Sequence, residues 1–381
     1  MKKRIAILGA GPIGLEAALA ASEEDYEVQV FERGGIGQNI LEWGHVRMFS
    51  TFGMNSSERG RRRLGKVPDP TALLTGREYV ECYLKPLGEH LDVAMHLNTE
   101  VISVGRVATL KGERIGEANR DETPLRVLVR QGNEEWMMLA DAVLDCTGVY
   151  RTPNYAGDGG MPAAGELLCR GCLWRGVPDV AGVLRPEFEG KSVLVVGNGH
   201  SAATMVSDLA PLAGRVVWAT RRSHCVRRIP NDPLPGRDGL LGAAEALVRS
   251  GRVEHLPEHG VLALHQKGDR VEVTFTNLHG KETVEFDRVV SCTGFRPNLE
   301  ITRELQSQTC WATEGTYKLA AALLGETAGD CLAIGDQDSE TLTHPEPGFF
   351  TLGVKSYGRH PDFLIQTGLA QVENVMALLA R

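Results

Sequence analysis

A chain of 381 residues is too long for one ordinary hydrophobic core and suits two domains. Its 42% hydrophobic and 24% charged residues are ordinary for a globular protein, and a net charge of −8 does not favour nucleic acid as a partner. No apolar run reaches about 18 residues, so no membrane span is expected; a strand already at Ile5 leaves no room for a signal peptide, and the expected compartment is the cytoplasm.

The first predicted strand, Ile5–Leu8, runs into ILGAGPIG, which carries Gly9, Gly11 and Gly14 with Pro12 and Ile13 between them. A helical pattern follows, and strand–turn–helix is the context that a GxGxxG match requires. Glycines there permit a tight turn and let backbone N–H groups approach a pyrophosphate, which then faces the positive end of the helix dipole. The next strand, Val28–Phe31, ends at Glu32 and Arg33. Glu32 lies 18 residues beyond Gly14, near the spacing of an acid that accepts hydrogen bonds from ribose hydroxyls. A carboxylate at this point repels a 2′-phosphate, so the site favours FAD or NAD.

Gly34–Lys66 reads as a long irregular stretch that approaches the flavin, with Trp43, His45, Ser50, Thr51 and Asn55. Arg59, Arg61, Arg62 and Arg63 follow; a solvated turn is the simplest reading, attraction of an anion the functional one. A helix is predicted from Thr75, with Tyr79, Tyr83, Leu84 and Leu87 on one face. NTEVISVGRV and PLRVLVRQ predict antiparallel strands joined by a polar loop, Glu113–Thr123. Residues 155–190 read as a Pro/Gly-rich crossover in which GELLCRGCLWRG holds a short helix. Within it Cys169 and Cys172 form a CxxC, a spacing that serves thiol–disulfide chemistry or half a zinc site. No second CxxC exists, so zinc is not expected, and no other metal-ligand cluster is visible.

A second turn, VVGNGHSA, follows the strand Val193–Val196, 188 residues after the first. It carries Gly197, Gly199, His200, Ser201 and Ala202. Here the following strand, Val216–Thr220, ends in Arg221 and Arg222, which suit the 2′-phosphate of NADPH. His200 and His45 are candidate polar groups at the reacting centre. RIPNDPLPGRDGLL reads as a loop, and the stretch from Gly251 to Asn277 as further strands. The chain also echoes itself in VLDCTGVYRTPN, with Cys146, Thr147 and Gly148, and VVSCTGFRPN, with Cys292, Thr293 and Gly294.

That doublet, with the two turns, resembles flavoproteins with two dinucleotide-binding domains, the superfamily of glutathione and thioredoxin reductases and flavin-containing monooxygenases. The resemblance spans essentially the whole chain. It implies an α/β fold of two Rossmann-like three-layer domains. Residues 1–160 and 295–381 would form the FAD-binding domain, and 161–294 an inserted NADPH-binding domain. It also implies a backbone contact from Val101 to adenine. WGHVRMFSTFGMNSS resembles the monooxygenase segment in which Ser/Thr and Asn lie beside the flavin, which points to Ser50, Thr51 and Asn55. The superfamily ends its FAD domain with a strand and a helix aimed at the flavin. Two segments compete for that role: Gly335 with Asp336, and Gly353 with Lys355 and Ser356. The second is preferred, because a strand at Phe349–Leu352 precedes it and a helix capped by Asp362 follows. Lys355 would then stabilise negative charge on the reduced flavin.

Two departures narrow the resemblance. No cysteine occupies either familiar disulfide position, and Cys172 lies 18 residues before Gly190, too far upstream for the thioredoxin reductase pattern. In the monooxygenase fingerprint FxGxxxH, Phe188 and Gly190 are present but Leu194 stands in place of the histidine. The expectation is an FAD-dependent oxidoreductase that takes hydride from NADPH, monooxygenase-like and acting on a small molecule. The alternative is a reductase of a thiol, disulfide or quinone-like acceptor, and a more remote one a non-catalytic redox sensor. A homodimer is the assembly expected if the chain self-associates.

Overall fold

The computed structural model describes residues 2–230, 232–325 and 339–380. The chain divides into two compact units, Met1–Thr152 with Arg296–Arg381, and Pro153–Phe295. The second unit is laced shut at its ends. Asn154 donates its backbone N–H to the Gly294 carbonyl (2.9 Å) and its Nδ2 to the Thr293 carbonyl (3.1 Å), and Thr293 Oγ1 donates back to the Asn154 carbonyl (3.0 Å). These bonds start the unit at Pro153 rather than at the expected 161.

In the first unit, β1 (Lys3–Leu8), β2 (Tyr26–Phe31) and β3 (Ala94–His96) precede an antiparallel trio, β4 (Glu100–Arg106), β5 (Leu125–Gln131) and β6 (Glu134–Ala140). After β7 (Ala142–Asp145) the chain leaves for the second unit, and it returns to add the strand Phe349–Thr351. The order across the main sheet is Phe349–Thr351, β7, β1, β2, β3, all parallel. Strand alternation sorts its side chains into two cores. Ile5, Ile7, Val30 and Leu144 pack under the helices Pro12–Ser22 and Ile365–Leu379, while Ala6, Leu8, Phe31 and Val143 pack against Val104, Val127 and Val129 of the antiparallel trio. Both faces are covered, which is why β1 reads as an unbroken apolar run.

The second unit repeats the plan. Its strands are β8 (Leu173–Arg175), β9 (Ser192–Val196), β10 (Arg215–Thr220), β11 (Glu254–Pro257), β12 (Gly260–Lys267), β13 (Arg270–Asn277), β14 (Gly280–Phe286) and β15 (Arg288–Ser291). A parallel sheet in the order β11, β10, β9, β15, β8 lies between the helices His200–Leu209 and Pro235–Arg249 on one face and the antiparallel β12–β13–β14 on the other. Each unit is therefore a Rossmann-like three-layer α/β domain with its own core.

Four local expectations are corrected. The 34–66 stretch carries two short helices, Gln38–Leu41 and Glu58–Leu64, the latter capped by Ser57 Oγ on the Gly60 N–H (2.8 Å). The short helix expected in GELLCRGCLWRG is there as the 3₁₀ turn Glu166–Leu168, but it is followed by an unexpected short strand, β8, which pairs with the distant β15. The proline-rich loop ends at Leu234, since Pro235 opens a helix, where its fixed φ is an advantage. The last helix is flanked by an extended Leu364, not capped by Asp362. Among the described residues no helix is long and apolar enough to cross a membrane.

Candidate dinucleotide-binding sites

In the first unit the loops leaving β1, β2 and β7 open at the carboxyl edge of the parallel sheet, where open α/β sheets bind ligands. The turn after β1 is built by contacts that exclude side chains. A Cβ on Gly9 (φ +101°) would lie 2.8 Å from the Cys146 carbonyl oxygen, and one on Gly14 would lie 1.9 Å from the Gly9 oxygen. Gly11, between them, faces open space: a Cβ there would meet nothing within 4 Å. The N-terminus of Pro12–Ser22 has no side-chain cap and no acid in its first turn. Its free N–H groups and the space above Gly11 together form a cradle of the kind a pyrophosphate fills.

Glu32 stands at the rim of this cradle. Its Oε2 accepts the Ala10 N–H (2.9 Å) and its Oε1 the Gly34 N–H (2.8 Å), so the carboxylate is aimed by backbone and keeps lone pairs for hydroxyl donors. Arg33 is exposed and reaches Glu100 at 3.8 Å, next to Val101 at the start of β4. From β7 come Cys146, Thr147 and Gly148, the last with φ +69°. From the C-terminal strand comes Gly353, whose Cβ would lie 3.1 Å from Ile13 of the first turn. Gly353, Ile13 and Gly148 thus converge, and the preferred C-terminal segment reaches the cradle. Gly335 and Asp336 lie outside the described residues.

Lys355 is buried beside this edge (2% exposed). Its Nζ donates to Asp145 Oδ2 (2.7 Å) and to Thr147 Oγ1 (3.0 Å). Asp145, which sequence reasoning did not single out, is the fully buried acid that ends the apolar β7; a lone carboxylate closing an apolar strand was the available signal. Ser356 Oγ donates to the Gly353 carbonyl (2.7 Å), and Gln371 clamps the same turn by accepting the Gly353 N–H (2.8 Å) and donating to Ser356 Oγ (3.0 Å). Asn55 is 1% exposed and engaged internally: Ser50 Oγ donates to its Oδ1 (2.9 Å), and its Nδ2 donates to the Ser50 carbonyl (3.2 Å). Thr51 accepts the Met54 N–H through its hydroxyl (3.4 Å), and His45 sits half-buried in the Trp43–Val46 turn.

The second unit builds the same turn. A Cβ on Gly197 (φ +125°) would lie 2.4 Å from the Cys292 carbonyl oxygen, while one on Gly199 would meet nothing within 4 Å. The internal echo in the sequence is therefore a structural one: each Cys-Thr-Gly segment packs its cysteine carbonyl under the first glycine of a turn. His200 opens the helix, with Ser201 and the fully buried Ala202 behind it. His200 lies near enough to Asp232 to help lower the acid's pKa, although the larger cause is the Asp232–Arg237 ion pair (2.7 Å). Thr293 and Gly294 (φ +84°) close the edge from β15. At the end of β10, Arg221 and Arg222 are both exposed, with no ion pair to either among the described residues. The second site thus offers two unengaged guanidinium groups where the first offers a carboxylate.

The model of the pyridine nucleotide-disulphide oxidoreductase family matches residues 3–337. The chain belongs to this family. Among curated relatives, the flavin-containing monooxygenase FMO GS-OX-like 3 of Arabidopsis thaliana is 26% identical over 322 residues, 77% of this chain. The match spans 62% of that protein, and 40% of another relative, so the chain covers only part of their lengths. Bacillithiol disulfide reductase Bdr (YpdA) from Bacillus cereus has the same fold (TM-score 0.75, 19% identity, covering 100% of this chain and 99% of that one). So does the Kutzneria sp. 744 ornithine N-hydroxylase, solved with reduced FAD, NADP⁺ and L-ornithine (TM-score 0.65, 16% identity, 100% of each chain).

The family's name evokes a disulfide, but Cys169 and Cys172 are free and buried (8% and 3% exposed). Burial pushes both thiols above the usual cysteine range, and Cys169 is raised further by its neighbour Cys172. Protonated, covered thiols are poor nucleophiles.

Proposed function

We propose that the first unit binds FAD, that the second binds NADPH, and that the oxidoreductase takes hydride from NADPH and spends it in a monooxygenase-like reaction on a small molecule. The observation that carries the cofactor assignment is the contrast at the second-strand ends, Glu32 against Arg221 and Arg222. Gly9, Gly11, Pro12, Ile13 and Gly14 cradle the FAD pyrophosphate, Glu32 accepts its ribose hydroxyls, and Thr147, Gly148, Gly353 and Ser356 border the flavin. Val101 offers backbone to adenine. Gly197, Gly199, Ser201 and Ala202 hold the NADPH pyrophosphate, the arginine pair its 2′-phosphate, and Thr293 with Gly294 the nicotinamide side. Together the cofactors supply the hydride chemistry, and the protein supplies binding, orientation and electrostatics. Lys355, held by Asp145 and Thr147, would lend its charge to stabilise negative charge on a bound flavin.

Monooxygenase-like chemistry is favoured over disulfide reduction by the covered, protonated state of Cys169 and Cys172 and by the monooxygenases among the relatives. The test measures NADPH oxidised, oxygen consumed, hydrogen peroxide released and product formed with amine and thioether substrates. Oxygenated product in step with NADPH, with little peroxide, supports the reading. NADPH oxidation that needs a disulfide or quinone and proceeds without oxygen replaces it with the reductase. Failure of NADPH to bleach the flavin anaerobically removes both.

A further inference from the structure

Two turns of the second unit, the glycine turn after β9 and the arginine turn after β10, are tied to one internal framework. Trp218, fully buried in β10, donates its indole Nε1–H to the carbonyl of Gly197 (2.6 Å), the first glycine of the turn. Thr220, two residues on and therefore on the same face of the strand, is 1% exposed and donates its hydroxyl to the carbonyl of Arg222 (2.8 Å). Between them stands His255 of β11. Its ring meets Trp218 edge-on (6.2 Å between centroids), and its Nε2 lies 2.8 Å from Thr220 Oγ1.

The hydroxyl has one proton. With that proton on the Arg222 carbonyl, His255 Nε2 must carry hydrogen and donate to Thr220 Oγ1. Burial, aided by His259 and His224, lowers the His255 pKa and so favours the neutral ring, whose Nε2–H tautomer makes this donation. Neighbouring backbone reinforces the clamp: the Glu258 N–H donates to the Arg222 carbonyl (3.2 Å) and the His259 N–H to the Thr220 carbonyl (3.0 Å). An exposed Arg–Arg turn loses conformational freedom when it binds a phosphate, and a turn fixed in advance loses less.

We propose that Trp218, His255 and Thr220 are positioning residues that hold the glycine turn and the arginine turn in register, so that a pyrophosphate and a ribose 2′-phosphate are bound together and NADPH is preferred over NADH. This rests on the assignment of the second unit to NADPH. None of the three residues needs to touch the nucleotide; Thr220 and His255 act through Arg222, and Trp218 acts through Gly197.

The experiment titrates the whole protein with adenosine 2′,5′-bisphosphate and with 5′-AMP by calorimetry, ligands that carry no nicotinamide and need no turnover. Wild type is expected to prefer the bisphosphate. Thr220→Val keeps the shape and removes the hydroxyl; it should cut that preference roughly five- to tenfold, the size of one lost hydrogen bond, and leave 5′-AMP within about twofold. Thr220→Ser should restore it. His255→Phe keeps the ring against Trp218 and leaves the Thr220–Arg222 bond but loses the donor that orients Thr220, so it should cut the preference in the same direction by about two- to threefold; it serves if Thr220→Val does not fold. An unchanged preference in both variants overturns the inference and leaves the NADPH assignment standing. Equal weakening of both ligands also overturns it, since that marks a general structural role. A wild type that does not distinguish the two ligands overturns the NADPH assignment itself, and this inference with it.

Discussion

At the scale of single residues, the first unit holds a buried pair of opposite charges at the end of β7. Asp145 is fully buried and Lys355 is 2% exposed, at 2.7 Å. Two ions so deep offset each other's desolvation, and removing one strands the other. Lys355→Met should cost about 3 to 5 kcal/mol in urea unfolding and weaken flavin retention, while the Lys355→Met, Asp145→Leu double variant should recover most of the stability but not the flavin. If the single variant is as stable as wild type, the pair is not the anchor of this edge. The same reasoning, applied to thiols, gives the opposite expectation at the CxxC. Cys169 and Cys172 are covered and pushed toward the thiol form, whereas Cys82 is exposed. Iodoacetamide at neutral pH should modify Cys82 well before either, as read by peptide mass mapping, and replacing both with Ser should leave NADPH turnover within about twofold. Rapid alkylation of the pair, or loss of turnover, would restore the dithiol route.

Single elements separate what the fold needs from what the ligand needs. Gly14 is required by backbone contact, since its Cβ would sit 1.9 Å from the Gly9 oxygen; a Cβ on Gly11 would meet nothing within 4 Å among the described residues. Gly14→Ala should therefore lower the melting temperature by many degrees, whereas Gly11→Ala should melt like wild type as apoprotein and fail to retain FAD. The segment leading to the C-terminal strand shows a second kind of anchoring. Glu346 is buried between Arg106 and Arg120, at 2.6 and 2.7 Å. Burial by itself would raise its pKa, but Arg120, the Gln306 N–H and Arg106 outweigh it, and the net shift is downward. A depressed carboxylate stabilises the fold above its unfolded pKa and loses that contribution as pH falls through its folded value. Glu346→Gln should thus cost about 3 kcal/mol at pH 7, with the gap to wild type closing below the ordinary glutamate range. A gap independent of pH would mean that packing, not charge, is what Glu346 provides. Elements of these kinds were unequally legible in the sequence. The helix at Thr75 was, because Thr75 and Glu78 form a reciprocal capping box that is written within four consecutive residues. The start at Pro235 was not, because proline ends loops and opens helices alike; nor was β8, because its partner is more than a hundred residues away.

For the molecule as a whole, the duplication was legible because each dinucleotide fold writes its turn locally: apolar strand, glycines, helix, then a telling residue at the next strand end. Closure was not legible, because it depends on pairs that meet only in the fold, such as Cys146 with Gly9, Asp145 with Lys355, Glu346 with two arginines, and Trp218 with Gly197. Nor was the internal use of Asn55, whose neighbours in sequence suggested a flavin contact while its amide is engaged by Ser50. One consequence of the duplication is open to direct trial. Residues 153–295 are continuous, carry both parallel and antiparallel sheets, and bury two clusters made only of their own side chains, from Val193 and Trp218 on one face to Val217 and Phe275 on the other. A domain of this size with a complete core is long enough to fold alone. The ends that must be brought together are already tied by Asn154, Thr293 and Gly294. The fragment should therefore melt cooperatively and bind adenosine 2′,5′-bisphosphate within about threefold of the whole chain, because the phosphate-binding turns and their Trp218–His255–Thr220 support all lie inside it. The first unit has the opposite character: β7 needs the strand Phe349–Thr351, and the helix Pro12–Ser22 needs the helix Ile365–Leu379, so a fragment ending at residue 152 lacks one sheet edge and half of one helical layer. It should be insoluble or molten on its own and fold when residues 296–381 are joined to it by a short linker. If the fragment 153–295 is unfolded, or the fragment ending at 152 is as stable as the whole chain, the two cores are not the independent folding units that their separate clusters imply.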